Sequence, residues 1–210
     1  MKWISILVLF FSFYIPSSNA KKVKTELAPT KINSVTKEMK FNYTNFKEAK
    51  NENNFLKFVG KSTKFKVFTT EFEGYAKIFT VTYEQNENVI KNISISISAR
   101  ALDTDSDSRN EKMWKKCLDV EKFPNVSATT KDSIELVNEK TGEMEIELSI
   151  KDKKLNRKLK YSVIKATESS SPEVIFSTDF SFIEAGIEDP SILIAKVGEI
   201  FQIQGKITIK

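Results

Sequence analysis

The sequence predicts an all-β protein, an extended antiparallel up-and-down barrel of about eight strands with one short helix inserted. Most of the chain after residue 55 alternates apolar with polar residues, which is the period of strands that bury one face. Residues that favour turns separate these runs. Strands joined in sequence favour a meander, and a meander protects its edges best by closing into a barrel. A β-sandwich is the alternative that the same pattern allows.

The barrel domain is predicted over residues 55–210, after a polar segment over residues 21–54 with room for one first strand. Its clearest strand covers residues 93–99, where isoleucines alternate with serines. The residues that alternation places on inward faces, as the barrel lining, are Phe65, Val67, Phe79, Val81, Ile95, Ile97, Ile146, Leu148, Tyr161, Phe176, Phe180 and Phe182. We expect one continuous apolar channel along them, although alternation alone does not distinguish a hollow interior from a filled one.

The predicted helix follows the strand at residues 93–99. Ser108 stands three residues before Glu111, which is the spacing of a capping box at a helix start. Met113 and Trp114 then pair with apolar residues four positions later, so that one side of the helix is apolar. Pro124 prevents the helix from continuing. A helix between two strands often covers the end of a barrel, and we expect Met113 and Trp114 to form a gate at its mouth.

The N-terminus has the pattern of a cleaved secretory signal over residues 1–20. Lys2 precedes an apolar run over residues 3–15, and Ser18 and Ala20 supply the small residues that a signal peptidase needs. The apolar run is shorter than the roughly 20 residues of a transmembrane helix. We therefore expect the mature protein to begin at Lys21, in the periplasm or outside the cell.

Composition argues against most catalytic and metal sites. The chain has no histidine, which removes Ser-His-Asp and Cys-His arrangements and the usual zinc ligands. Cys117 is the single cysteine, so an intramolecular disulfide cannot form. Among the carboxylates, Glu73 is the first to check for a raised pKa, but a strand-end surface residue is the favoured interpretation. The sequence predicts no enzyme and no catalytic residues.

Metal and nucleic-acid binding are also disfavoured. Asp103, Asp105 and Asp107 alternate like the first half of a calcium-binding loop, but Ser108 replaces its glycine and Trp114 its closing glutamate. The chain has 33 Lys and Arg against 28 Asp and Glu, and the lysines are spread over nearly every segment. No arginine cluster typical of a nucleic-acid binder is present. We expect neither a metal site nor a nucleic-acid partner.

Several short segments, taken in order, resemble the YceI-like family over residues 55–210. They are Gly60-Lys61-Ser62-Thr63, Phe72-Glu73-Gly74, Leu102-Asp103-Thr104, Arg109-Asn110-Glu111-Lys112-Met113, Leu118-Asp119-Val120-Glu121-Lys122-Phe123-Pro124 and the stretch 182–192. The resemblance implies a lipocalin-like barrel that holds a long polyisoprenoid or related lipid. Asn110 and Lys112 depart from the Arg-Asp-x-His pattern common in the family at the helix start.

The functional hypothesis that follows is a secreted or periplasmic binding protein. It would hold a polyisoprenoid, a quinone or another lipid in the barrel for transport, storage or sequestration, with no cofactor apart from such a bound lipid. Its partner would be the lipid, transient membrane contact is compatible with this role, and the protein would be a monomer or a homodimer. The alternatives are an enzyme that acts on a lipid or small acid in the same barrel, and a filled barrel with a structural or interaction role.

Overall fold

The computed structural model describes residues 34–165, 167 and 169–210. The predicted signal segment and the first part of the polar segment lie outside these residues. The strands are β1 (Val35–Asn42), β2 (Phe55–Lys64), β3 (Phe68–Ala76), β4 (Ile78–Asn86), β5 (Val89–Ser98), β6 (Leu102–Asp103), β7 (Asn125–Thr130), β8 (Ile134–Glu135), β9 (Thr141–Ile150), β10 (Lys153–Ile164), β11 (Glu173–Ser181), β12 (Ala195–Val197) and β13 (Ile200–Thr208). The helices are α1 (Phe46–Asn51) and α2 (Asp107–Lys112). In the described part of the chain, no helix is long and apolar enough to cross a membrane.

All thirteen strands belong to one antiparallel sheet, which curls into a barrel. The order round the sheet is β4-β5-β7-β9-β10-β11-β13-β2-β3, with β1 beside β4 and β6 beside β3. Strands β3 and β4 are consecutive in the chain and are separated only by Lys77, whose N–H donates to the Ala101 carbonyl at 3.0 Å. If β3 and β4 are taken as one bent strand, the ring has eight positions. The predicted all-β barrel is confirmed. It has more strands than predicted, because the bend at Lys77 separates β3 from β4 and because short strands such as β6, β8 and β12 pair with the longer ones.

Phe65 and Val67 do not line the barrel, so this part of the predicted lining is wrong. The β2–β3 connection is a tight turn in which Phe65 and Lys66 have φ angles of 50° and 61°. The Val67 N–H donates to the Lys64 carbonyl at 3.0 Å and closes the turn. Both apolar side chains are largely exposed. The alternation of apolar residues with lysines has the period of a strand, but here it spans a chain reversal.

The barrel interior has two apolar clusters. One half is packed by large side chains from β4, β9, β11 and β13, and Phe79 and Tyr83 are its largest fully buried members. The Phe79 ring stacks on Phe41 of β1, with 4.5 Å between the ring centroids. The second cluster joins β9 and β11 to the helical insert through Cys117 and Leu118. This second half is the end of the barrel that the insert covers.

The helical insert differs from the prediction in its start and its form. Helix α2 begins at Asp107, and its N-cap residue is Ser106, whose side chain makes no capping hydrogen bond. Ser108 lies inside the helix, so the predicted capping box that starts at Ser108 is not formed. The chain then continues as a π-helical turn, Met113–Leu118, which ends at Asp119 with a φ angle of 50°. A π-helical turn is closed by hydrogen bonds between residues five apart. Met113, Trp114, Cys117 and Leu118 all belong to the second apolar cluster, so the predicted apolar side is present although the turn is π-helical.

Candidate ligand-binding site

A cavity of about 460 Å³ lies between the barrel wall and the helical insert. The strands contribute an apolar wall, and the insert and the segment before β12 complete the enclosure. The apolar residues that line it are Leu56, Phe58, Phe72, Ala76, Ile97, Leu102, Met113, Cys117, Leu118, Val126, Ile150, Phe180, Phe182, Ile187, Pro190, Ile192, Ala195, Val197, Phe201 and Ile203. A concave, mostly apolar cavity of this size is typical of a small-molecule site.

The cavity ends where the packed half of the barrel begins. Along β9, Ile150 lines the cavity, Leu148 is buried beneath it, and Ile146 borders a separate void of only about 60 Å³. Along β11, Phe180 and Phe176 are separated in the same way by Thr178. Phe79 of β4 is also buried between the two spaces without lining either. We call Phe79, Leu148 and Thr178 the dividing layer.

The predicted lining residues therefore fall into separate groups. The main cavity is lined by Ile97, Phe180, Phe182 and Met113 of the predicted set. The small void is bordered by Val81, Ile95, Ile146 and Phe176. The dividing layer contains Phe79 and Leu148, and Tyr161 packs against the filled half. The expected single continuous channel is divided into two spaces. Alternation identified the inward faces of these strands, but the volumes of side chains on different strands decide where the interior is filled.

The two predicted gate residues have different environments. Met113 lines the cavity, whereas Trp114 packs beside it without lining it. The Trp114 indole N–H donates to the Leu102 carbonyl at 3.0 Å, and the Arg100 guanidinium lies 4.8 Å from the ring centroid. Trp114 thus joins the insert to β6 and to the connection before it.

Polar residues at the mouth of the cavity come from α2 and the turn before it. Thr104, Ser108, Arg109 and Lys112 line the cavity here. Arg109 donates from Nε to the Thr104 hydroxyl at 3.0 Å and from Nη2 to the Thr104 carbonyl at 3.1 Å. Its guanidinium lies 5.3 Å from the centroid of the Phe72 ring. These contacts fix the direction of the Arg109 charge.

Lys112 is held at the mouth by carbonyl oxygens. Its Nζ donates to the carbonyls of Pro190 at 2.6 Å and of Ser191 at 3.1 Å. Sequence reasoning did not include Arg109 or Lys112 among the site residues, because it derived those residues from strand alternation and apolar pairing. The signal that was available is their place in the segment Arg109-Asn110-Glu111-Lys112, which carries part of the family resemblance.

The mouth carries positive charge without matching carboxylates. Among the described residues, no Asp or Glu lines the cavity, and none has a carboxylate oxygen within 4 Å of the charged nitrogens of Arg109 or Lys112. Lys57, the third cation that lines the cavity, pairs with Glu73 at 3.3 Å. The Asp189 carboxylate accepts a hydrogen bond from the Ser191 N–H at 2.8 Å. Hydrogen bonds from Ser191 and the nearby charges of Lys196 and Lys112 lower the pKa of Asp189, although it forms no ion pair with Lys112. Arg109 and Lys112 are therefore available to a negative group.

Glu73 does not behave as a catalytic acid with a raised pKa. Burial raises the pKa of this carboxyl, but hydrogen bonds from Lys50 and Lys57 and the charges of these lysines outweigh that effect. The pKa of Glu73 therefore lies below its ordinary value. The candidate role with a raised pKa is therefore not supported, because α1 and β2 each place a lysine beside this residue.

A buried asparagine supports the mouth from below. The Asn110 side-chain oxygen accepts hydrogen bonds from the Thr104 N–H at 2.8 Å and the Thr104 hydroxyl at 2.7 Å. Its amide nitrogen donates to Asp103 Oδ1 at 2.9 Å, and Lys77 pairs with the same carboxylate at 3.1 Å. An aspartate at position 110 would have no proton to donate to Asp103 when ionised. The amide at this position matches the charged Asp103.

The acidic turn is used for these internal contacts. Asp103 accepts from Asn110 and from the Asp105 N–H, and Asp107 opens α2. Within the described residues, no group of three or more His, Cys, Asp and Glu side chains is arranged to hold a metal ion. That the turn binds no calcium remains a prediction.

Asp103 should make stability fall in acid. Burial raises the pKa of Asp103, but hydrogen bonds from Asn110 and the Asp105 N–H and the Lys77 charge lower it below the ordinary value of 3.8. The lowered pKa stabilises the fold above pH 3.8, and this stabilisation is lost as the pH falls through the folded pKa. In Asp103→Asn, urea unfolding should show a weaker dependence on pH below this value. Asp107→Asn is the control for loss of one charge, and equal pH profiles for wild type and Asp103→Asn would contradict the prediction.

Comparison with protein families identifies the chain. The family model described as the YceI-like domain matches residues 48–210. The protein belongs to the YceI-like family. The match begins within α1, so β1 precedes the part of the chain that the family model covers. No curated protein matches the sequence.

Solved structures support the same fold for this YceI-like protein. The crystal structure of Burkholderia cenocepacia BcnA aligns with a TM-score of 0.58 and 14% identity, over 74% of this chain and 96% of that one. The structure of a polyisoprenoid binding domain from Saccharophagus degradans, implicated in plant cell wall breakdown, aligns with a TM-score of 0.52 and 10% identity, over 73% of this chain and 91% of that one. At this identity the likeness concerns the fold.

Proposed function

We propose that this YceI-like protein is a non-enzymatic binding protein for a polyisoprenoid, a quinone or another lipid with a long apolar chain. The observation that carries the proposal is the apolar cavity of about 460 Å³ beneath a cationic mouth. Transfer of an apolar chain from water into such a cavity contributes roughly 25 cal/mol per Å² of buried area. The polyisoprenoid binding named for the Saccharophagus degradans domain supports the same class of ligand.

The dividing layer sets the depth to which a chain enters. If a methylene group occupies roughly the 30 Å³ of a water molecule, the cavity holds on the order of fifteen such groups. Leu148 and Phe79 close the way into the packed half of the barrel. A longer polyisoprenoid would leave its remaining units at the mouth.

The mouth favours a head group with negative charge. Arg109 and Lys112 both line the cavity, and a phosphate or carboxylate between them would accept charge-assisted hydrogen bonds. The Lys112 ammonium would exchange neutral carbonyl partners for this charged one. In the family pattern a histidine stands at position 112, and histidine is largely neutral at pH 7. Lys112 places an ammonium group at this position, so this chain should prefer acidic head groups.

The experiment that tests the proposed function has two parts. Mass spectrometry of organic extracts from the protein, purified from its native cell, should find a bound lipid. Binding titrations should then compare farnesyl phosphate with farnesol, and palmitoleic acid with the matching alcohol. We expect each acid to bind at least about tenfold more tightly than its neutral counterpart, which corresponds to about 1.4 kcal/mol. The two pairs distinguish phosphate from carboxylate recognition.

Matched variants assign this preference to the mouth. Lys112→Met should reduce the preference for the acid several-fold and leave the affinity for the alcohol nearly unchanged, and Arg109→Gln should act in the same direction. Lys116→Met, an exposed substitution on the same helical insert, is the control. Equal affinities of the wild type for acid and alcohol would contradict the head-group assignment, and absence of any bound or captured lipid would contradict the binding function.

The chemistry of the cavity supports binding over catalysis. Cys117 is a buried nucleophilic side chain in the cavity lining. Burial raises the pKa of its thiol, which keeps it in the poorly nucleophilic protonated form. The chain has no histidine to act as its base.

The N-terminal pattern supports a secreted or periplasmic location for this role. If residues 1–20 are a signal peptide, N-terminal sequencing of the protein from its native cell should begin at Lys21. Substitution of Ala20 by a bulky residue such as Phe should block cleavage, because signal peptidase needs a small residue there. A mature protein that keeps the apolar run over residues 3–15 would contradict this location.

A further inference from the structure

Two tight turns beside the cavity mouth carry large apolar side chains into solvent. In the β2–β3 turn these are Phe65, Val67 and Phe68, and in the turn before β12 they are Ile192, Leu193 and Ile194. Each of the six is more than half exposed, and Leu193 is completely exposed. We call these six residues the apolar rim. Exposed apolar residues scattered singly need no explanation, but a contiguous group marks an interaction surface.

Backbone contacts hold the two turns together. The Phe65 N–H donates to the Ile194 carbonyl at 3.0 Å, and Ala195 pairs with Lys64 across β12 and β2. Ile192 and Ala195 exchange hydrogen bonds of 2.9 and 3.0 Å, which leaves Leu193 and Ile194 at the tip of a two-residue turn. The six side chains therefore project from one small, backbone-fixed region.

The residues of the rim are not those that the turns require. Two-residue turns with positive φ at both positions favour Asn and Gly, whereas Phe65 and Lys66 occupy these positions here. Turn tips in general favour small polar residues, whereas Leu193 and Ile194 form the second tip. Folding of the turns does not explain the apolar side chains, since each would be more favourable in a less polar environment than water.

Charge and position indicate which surface covers the rim. Lys64, Lys66 and Lys196 flank it and are exposed, and among the described residues none has a carboxylate within 4 Å. An apolar group ringed by lysines matches the interface of a bilayer that contains anionic lipids. The rim is also continuous with the cavity, because Ile192 and the β12 residues Ala195 and Val197 line it.

We propose that the apolar rim docks the protein on an anionic phospholipid bilayer, with Phe65 and Leu193 inserted and the three lysines at the head groups. This surface orients the mouth of the cavity toward the membrane. The proposal goes beyond ligand binding and concerns six side chains of which only Ile192 lines the cavity.

The experiment compares vesicle binding of the wild type with that of a rim variant. The wild type should co-sediment with vesicles of phosphatidylcholine and phosphatidylglycerol, and more weakly with phosphatidylcholine alone. The variant Phe65→Asn with Leu193→Asn keeps residues that both turns accept and should lose at least about tenfold in vesicle affinity. Val137→Asn changes an exposed apolar residue in the loop before β9 and should bind like the wild type. Leu193→Trp should show a blue shift of tryptophan emission on the anionic vesicles.

Solution measurements separate the other outcomes. Capture of farnesyl phosphate without vesicles should be the same in the wild type and the rim variant, so a failure of docking is distinguishable from a failure of ligand binding. Vesicle affinity that is equal in the wild type and the rim variant, or absent in the wild type, would overturn the proposal. A wild-type dimer in analytical ultracentrifugation that becomes a monomer in the rim variant, with no vesicle binding, would assign the rim to a second copy of the chain instead.

Discussion

Ile97→Trp is expected to abolish retention of the lipid while the barrel stays nearly as stable as the wild type. Ile97 lines the main cavity and faces Val126 across the β5–β7 pair. An indole at this position would project into the open space that the ligand chain needs. Because it fills a void and displaces few packed atoms, we expect a change in the free energy of unfolding of less than about 1 kcal/mol.

The matched control is Ile95→Trp, two residues earlier on the same strand. Ile95 borders the packed half of the barrel, where the remaining void is only about 60 Å³. The same substitution there should overpack the core and lower stability by about 1–3 kcal/mol. Urea unfolding followed by circular dichroism measures both effects, and mass spectrometry of extracts measures retention. If both variants lose the same stability and the wild type carries no extractable lipid, the interior is filled throughout and the barrel has a structural role.

This pair of variants also shows what the sequence could and could not predict. Period-two alternation places Ile95 and Ile97 on the same inward face, and the structure agrees. Their different surroundings depend on side chains from other strands that are distant in sequence, including Leu148, Phe176 and Phe180. Packing volume is a sum over these neighbours, so the pattern of one strand does not contain it.

The errors at Phe65 and Val67 have a different physical cause. A turn and a strand can carry the same alternation, and the usual turn residues Asn and Gly are absent between Lys64 and Val67. Their unusual exposure became visible only with the backbone. The polar mouth was missed for a related reason, because Arg109 and Lys112 lie on a short helix whose orientation depends on the Asn110 contacts with Thr104 and Asp103.

Phe79→Ala should cause one of the largest losses of stability, about 3–5 kcal/mol, because it leaves a cavity within a packed core. Phe79 is 1% exposed and is stacked against Phe41. It is also the aromatic member of the dividing layer. Its removal should therefore open a passage from the main cavity toward the packed half of the barrel, besides weakening the fold.

The second consequence makes the prediction specific to the dividing layer. We expect Phe79→Ala to shift the chain-length preference toward prenyl phosphates longer than farnesyl phosphate. The reason is that additional isoprene units can enter the new space. A bound chain would also restore part of the lost stability by mass action. Phe79→Leu keeps most of the volume and should retain the chain-length preference of the wild type. Thermal unfolding with and without each prenyl phosphate measures both effects. If folded Phe79→Ala has the chain-length preference of the wild type, Phe79 is not the side chain that stops the ligand chain.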